Sequence, residues 1–161
     1  MQLRQPAWLD WLSNHPPLFV ICFAVFFAAT WALSLYVLGA ISGWEILSRH
    51  FRFKGTFYGE TWPFRSGRMR FYVHYGNCLT VGADESGLYL AVFPIFRIGH
   101  PPLLIPWSEV SVISGEKGLI YRKRELRLGH QDSIPLRISA SLAETLRQSA
   151  GEAWPLESVA V

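Results

Sequence analysis

Hydrophobic and polar positions fall along this chain in three successive textures. The first is saturation. Residues 18–41 form a run of 24 without one Asp, Glu, Lys, Arg, His, Asn or Gln, and 21 of them are apolar. A helix of that length measures about 36 Å, enough to cross a hydrocarbon layer of about 30 Å with some tilt. Pro16 and Pro17 stand where a helix starts. Trp31 and Tyr36 lie within the run. Trp44 lies just past it, where an indole suits the membrane–water boundary. The second texture, residues 44–53, sets Trp44, Leu47 and Phe51 at helical spacing, with Glu45, Arg49 and Arg52 falling away from them. It predicts a short amphipathic helix that lies at the headgroup level or packs on the C-terminal domain. The third texture, from Phe57 onward, is alternation broken by turn residues. Residues 57–64 read as a strand or irregular strand; 69–75, 78–81, 88–93, 103–107, 109–113, 119–122, 125–128 and 133–138 continue the pattern, and seven or eight short strands are expected from these segments. Turn signals lie at 65–68, 76–77, 84–87 and 115–118. Met69, Phe71, Val73 and Tyr75 share one face of their strand, and Pro106 places its strand at a sheet edge. The period then switches to helical over residues 139–148, which start with a serine cap, with Glu144 three residues beyond Ser141 as in a capping box. Gly151 ends that helix, and the last ten residues read as a loose tail.

Composition sharpens this picture. The chain of 161 residues is 50% hydrophobic and 17% charged, with a mean hydropathy of +0.19. Outside the apolar run the remaining 137 residues are about 44% apolar and hold all 27 charges, the make-up of an ordinary small domain. Disorder, a multi-span transporter and a large enzyme are thereby excluded. The run is longer than the apolar core of a signal peptide, only Arg4 is basic upstream, and Leu38-Gly39-Ala40 is a poor cleavage site, so an uncleaved anchor is expected. Arg49, Arg52 and Lys54 follow the span closely, then Arg65, Arg68 and Arg70. This bias orients the C-terminal domain to the cytoplasm, at the inner (plasma) membrane, in a single pass. Cys22 and Cys78 suggest no disulfide framework.

The order of seven strands closed by one C-terminal helix is that of a pleckstrin-homology-like domain. Asn77-Cys78-Leu79-Thr80-Val81-Gly82, Gly87-Leu88-Tyr89-Leu90 and Phe96-Arg97-Ile98-Gly99-His100-Pro101-Pro102-Leu103-Leu104-Ile105-Pro106-Trp107-Ser108-Glu109-Val110 carry a resemblance. The chain is similar in them to a group of small bacterial membrane-anchored proteins of uncharacterised function, whose soluble part is pleckstrin-homology-like. The resemblance covers roughly residues 43–149. It implies a mainly β, α+β fold, a β-sandwich or barrel of about seven strands. The organisation expected is an N-terminal tail (1–17), a transmembrane helix (18–41), a juxtamembrane amphipathic segment (42–56), the pleckstrin-homology-like domain (57–150) and a C-terminal tail (151–161). Such folds host lipid, peptide and protein binding, so the fold leaves the function open.

Candidate chemistry is sparse. Five histidines, His15, His50, His74, His100 and His130, are scattered, and no C-x-x-C, H-x-x-x-H, G-x-S-x-G or Walker loop is present. No metal, cofactor or catalytic site is expected. Cys78 and the Asp84-Glu85 pair read as a strand residue and a hairpin tip. A net charge of +3 is too small for nucleic-acid binding. Binding candidates remain. Arg65, Arg68 and Arg70, around a predicted hairpin, suit phosphate headgroups because a guanidinium donates paired hydrogen bonds. In the resembling family, basic residues at the first hairpin hold such groups. Arg49, Arg52 and Lys54 extend the basic surface toward anionic lipid. Phe93, Ile95, Phe96 and Ile98 form an apolar loop fit for lipid or a protein partner. Ala24, Ala28 and Ala32, with Gly39 and Gly43, form a small-residue line fit for helix association, hence a homodimer. The function expected is a non-enzymatic, membrane-tethered module binding a protein partner or anionic lipid headgroups; the alternative is an assembly subunit associating through its transmembrane helix.

Overall fold

The computed structural model describes residues 16–114, 123–129 and 133–159. The strand expected at 119–122 lies outside them. The chain divides into two compact units, one ending at Ser34 and one beginning at Leu35.

The first unit is helical. Helix α1, Pro16–Ser42, starts at the proline pair, and its stretch Pro17–Ser42 is long and apolar enough to cross a membrane. Within residues 16–34 the polar atoms are cared for locally. The Thr30 hydroxyl donates to the Phe26 carbonyl at 2.9 Å and the Ser34 hydroxyl to the Thr30 carbonyl at 2.8 Å. No hydroxyl of this stretch is therefore left unbonded in an apolar medium. Phe23, Phe27 and Trp31 succeed one another along one side, with ring centroids 6.5 and 6.3 Å apart.

The second unit holds the last two turns of α1, a short helix α2 (Trp44–Phe51), a β sheet and a C-terminal helix α3 (Ala140–Ala150). The strands are β1 (Glu60–Arg68), β2 (His74–Asp84), β3 (Gly87–Val92), β4 (Leu103–Pro106), β5 (Val110–Ser114), β6 (Lys123–Leu128), β7 (Ile134–Ser139) and β8 (Glu157–Val159). Their spatial order is β4-β3-β2-β1-β7-β6-β5-β8. The first seven are antiparallel and nearly close on themselves, so the unit is mainly β. Strand β1 reaches β7 through the pair Arg68↔Arg137. Inward-facing Leu79, Val81, Leu88, Leu90, Ile105, Val112, Leu126, Leu136 and Ile138 fill the interior. Each fully buried aliphatic side chain contributes about 1.5–3 kcal/mol.

Several expectations shift. The turn expected at 65–68 is the end of β1; the real turn is residues 69–73, a 3-10 turn at Arg70–Tyr72. Gly76 and Asn77 stay inside β2, where Asn77 has φ 50° and the register with β1 is irregular. The Ser66 hydroxyl accepts the Asn77 amide at 3.0 Å and donates to its side-chain oxygen at 2.8 Å. A bulge uses the same residues as a turn, which explains the misreading. Phe71 consequently does not share the buried face of Met69 and Tyr75; it is exposed. The serine cap is Ser139, which accepts the Leu142 amide at 3.2 Å, but the capping box on Ser141 does not form, and Glu144 pairs with Arg147 at 2.8 Å. The tail expected to be loose is ordered: Trp154 packs on Trp107 with ring centroids 5.2 Å apart, and β8 pairs in parallel with β5.

The juxtamembrane segment also differs in kind. Trp44 and Leu47 are fully buried in the core, and Phe51 packs against it. Trp44 is therefore not an interfacial anchor; its indole N–H donates to the Pro101 carbonyl at 2.8 Å. The compact unit begins at Leu35, before α1 ends.

Candidate functional site

Polar groups gather in the second unit at the end of α1 and at the β1–β2 hairpin. Where α1 ends, Gly39 packs so closely on the loop after β3 that a Cβ there would lie 2.6 Å from the Gly99 carbonyl oxygen. Gly99 has φ +73°, and its own Cβ would lie 3.0 Å from the Tyr36 Cα. Gly43 has φ +85° and faces Ile134, whose Cδ1 a Cβ would approach to 2.8 Å. Gly39 and Gly43 are thus covered by this chain's own domain, so neither is offered to a second helix. Ala24 and Ala28 lie exposed on α1, and Ala32 is half-buried.

Beneath these glycines lies a buried chain of polar side chains. Ser42 is fully buried and His100 nearly so. The Tyr75 hydroxyl lies 2.8 Å from the Ser42 hydroxyl and 2.9 Å from His100 Nε2. His100 Nδ1 lies 3.0 Å from the Ile98 carbonyl, and the Ser42 hydroxyl 3.1 Å from the Gly39 carbonyl. With a neutral imidazole, Nδ1–H donates to Ile98, Tyr75 donates to Nε2, and Ser42 donates to Tyr75 or to Gly39. Every member is then satisfied, as burial demands. Burial pushes the Tyr75 phenol up to about 12 and lowers the His100 imidazole below its usual value. Burial likewise raises the Cys78 thiol, which sits half-buried in β2. The indole of Trp44 meets the His100 ring edge-on at 5.3 Å. This node closes on itself and offers nothing to a ligand.

The second place is the β1–β2 hairpin, and it is open. Arg68, Arg70, Phe71, Tyr72, Pro135 and Arg137, with Met69, line a cleft of about 330 Å³. Phe71 and Tyr72 have φ 52° and 63° and are exposed. Left-handed backbone is uncommon outside glycine, and two bulky residues in it mark stored strain of a kind that gathers at binding sites. Arg70 lies over the Phe71 ring at 4.8 Å and Arg68 over the Tyr72 ring at 5.8 Å. Arg68 stands opposite Arg137 in the ladder, an arrangement that like charges make unfavourable. Arg137 is answered by Glu125 at 2.8 Å, which holds its guanidinium above the ordinary value, with a smaller contribution from Tyr72. Glu125 also serves Arg127 at 3.2 Å. Among the described residues no carboxylate pairs with Arg68 or Arg70.

The structure therefore brings together two of the three hairpin arginines named from sequence. Arg65 pairs across to Leu79 further down β1 and does not line the cleft. Arg49 bonds Glu45 at 2.9 Å on α2, and Arg52 and Lys54 are exposed beyond it. Arg137 and Tyr72 were missed. They lie 69 and 4 positions from Arg68 in sequence, and only the β1–β7 closure brings Arg137 to Arg68. In the loop after β3, Phe93, Ile95 and Ile98 are exposed, whereas Phe96 is half-buried against the core. Among the described residues no group of His, Cys, Asp or Glu is arranged to hold a metal ion. No protein-family model matches this chain, and no curated protein or solved structure is recognisably similar to it.

Proposed function

We propose that this chain is a membrane-anchored, pleckstrin-homology-like module whose β1–β2 hairpin binds the anionic headgroups of the leaflet on which it sits. The observation that carries this reading is the cross-strand opposition of Arg68 and Arg137, with Arg70 on the same cleft and, among the described residues, Glu125 as the one carboxylate to answer them. A phosphate group relieves that opposition and accepts paired hydrogen bonds from guanidinium groups. The strand order, three meander partners of β1 on one side and β7-β6-β5 on the other, closed by α3, supports the pleckstrin-homology-like assignment. The basic residues that follow α1 support a cytoplasmic placement at the inner membrane. Because α1 keeps the domain at the bilayer, the local headgroup concentration is high and a weak site suffices.

The test uses the full chain in nanodiscs of neutral phosphatidylcholine, and in discs that also contain phosphatidylglycerol. Hydrogen exchange at the amides of residues 69–74 slows in the anionic discs. The double substitution Arg68→Gln/Arg70→Gln removes that difference. Equal exchange in both kinds of disc refutes the reading.

A further inference from the structure

The loop after β3 has no part in the arginine cleft, yet it is built with unusual care. The Phe93 amide donates to the Cys78 carbonyl at 2.8 Å, Pro94–Phe96 forms a 3-10 turn, and the His100 amide donates to the Arg97 carbonyl at 2.9 Å. The loop is thus a fixed shape. It holds Phe93, Ile95 and Ile98 outward at 46, 59 and 47% exposure. Phe64, at 64% exposure and φ 56°, joins them, its ring 6.1 Å from that of Phe93. Such a patch costs free energy in water and marks a surface meant to be covered.

Its position says by what. Gly99, one residue after Ile98, rests on the backbone of α1 at Tyr36, and Tyr36, Val37, Leu38 and Ile41 are themselves exposed apolar residues. The residues of the apolar stretch of α1 before the domain takes hold, Pro17 to Ser34, number 18. At 1.5 Å per residue they supply about 27 Å, short of a hydrocarbon layer of about 30 Å. The span cannot borrow residues from its start without burying Asn14 and His15. It must therefore extend to about Tyr36 or Val37, the level at which Gly99 touches the helix, and any tilt carries it further. Between Glu85 and Glu109 the chain has no acidic residue, and Arg97 is the loop's only charge, a cation suited to phosphate headgroups.

We infer that Phe93, Ile95 and Ile98, together with Phe64, are embedded in the interfacial layer of the bilayer, as a wedge beside the end of the membrane-spanning helix. The bilayer is their occupant. This rests on the reading that α1 crosses the membrane, but not on headgroup binding at the arginine cleft.

Spin labels test it in the full chain, with Cys22→Ser and Cys78→Ala as background, reconstituted in phosphatidylcholine vesicles. Single cysteines are placed by Ile95→Cys and Ile98→Cys, with Tyr58→Cys as an aqueous control and Ala28→Cys as a control within the span. Positions 95 and 98 are expected to be several-fold less accessible to a water-soluble nickel relaxant than position 58, and more accessible to oxygen. Labels at 95 and 98 as nickel-accessible as that at 58, with 28 deep in the bilayer, overturn the inference alone. A label at 28 that is itself aqueous overturns the anchor. Shielding at 95 from both relaxants, with strong spin–spin broadening, assigns the patch to a second copy of the chain and also overturns the inference.

Discussion

The end of α1 and the tip of the β1–β2 hairpin are both polar, both aromatic-rich and both built around unusual backbone, yet they are opposites. At the helix end the left-handed backbone belongs to glycines, Gly43 and Gly99, with Gly99 pressed against Gly39, and Ser42, Tyr75 and His100 exhaust one another's hydrogen bonds. At the hairpin the left-handed residues are phenylalanine and tyrosine, and Arg68 and Arg70 have no carboxylate partner among the described residues. Close packing and complete satisfaction cost nothing further once made, and they fix a geometry. Strain and unanswered charge raise the energy of the free protein, and a ligand relieves them. The contrast fits the proposed reading, in which the first region is structural and the second binds. Substitutions can break or sharpen it.

The largest effect is expected at Gly39. A valine there drives its Cβ into the Gly99 backbone carbonyl, a contact that no side-chain rotation relieves. Gly39→Val should cost about 3 kcal/mol or more, at or beyond the upper range for overpacking, measured by denaturant unfolding of the domain in nanodiscs. Phe71→Gly at the tip should cost nothing, because relief of the φ 52° backbone offsets the added freedom of the unfolded chain. If Phe71→Gly proves as damaging as Gly39→Val, the hairpin is structural and the contrast fails.

Next in size is Tyr75→Phe. The ring still fills its place, but Ser42 and His100 lose their common partner while remaining buried. The expected cost is about 1–3 kcal/mol, the range for orphaned buried polar groups. A cost near zero would mean that His100 Nε2 finds another partner once the Tyr75 hydroxyl is gone, and that Ser42 is satisfied by its bond to Gly39.

The same node sets a pH dependence. His100 holds its imidazole below the usual value through burial, so the folded state resists the proton. Above about pH 6.5 the ring is neutral folded and unfolded, and its contribution is constant. As the pH falls below that, the unfolded chain binds a proton that the folded chain does not, and stability declines until the folded ring also titrates. Urea midpoints of the wild type should therefore fall between pH 7 and pH 5 by more than those of His100→Gln. Parallel curves would remove His100 from the account.

Much of the fold was legible because it rests on local pattern. The saturated run, the strand alternation and the amphipathic α2 follow from spacing alone, and Trp44, Leu47 and Phe51 do share the face that packs on the core. What stayed hidden depends on long-range closure. Pairing of β1 with β7 sets Arg137 opposite Arg68, and the return of the loop after β3 buries Gly39. Gly39 and Gly43 carried the spacing of a helix-association motif, and only the domain's own contact with α1 reveals what the small residues make room for. Asn77 looked like a turn because bulges and turns draw on the same residues. The hairpin arginines were found in part, since Arg68 and Arg70 lie together in sequence while Arg137 and Glu125 come from β7 and β6.

The smallest effect is the most discriminating, because its sign depends on what surrounds the protein. In neutral phosphatidylcholine, Arg68→Gln removes one of two like charges that face each other across β1 and β7. It should raise stability by a few tenths of a kcal/mol, as relief of a like-charge cross-strand pair does. In anionic discs the same substitution removes a donor to bound headgroups, and it should lower stability relative to wild type. A structural arginine would shift the two measurements in the same direction. A solvated arginine with no role would shift neither, apart from a uniform change that added salt screens away. Reversal of sign between the two lipid compositions therefore separates a binding hairpin from a merely charged one, with unfolding midpoints as the only readout required.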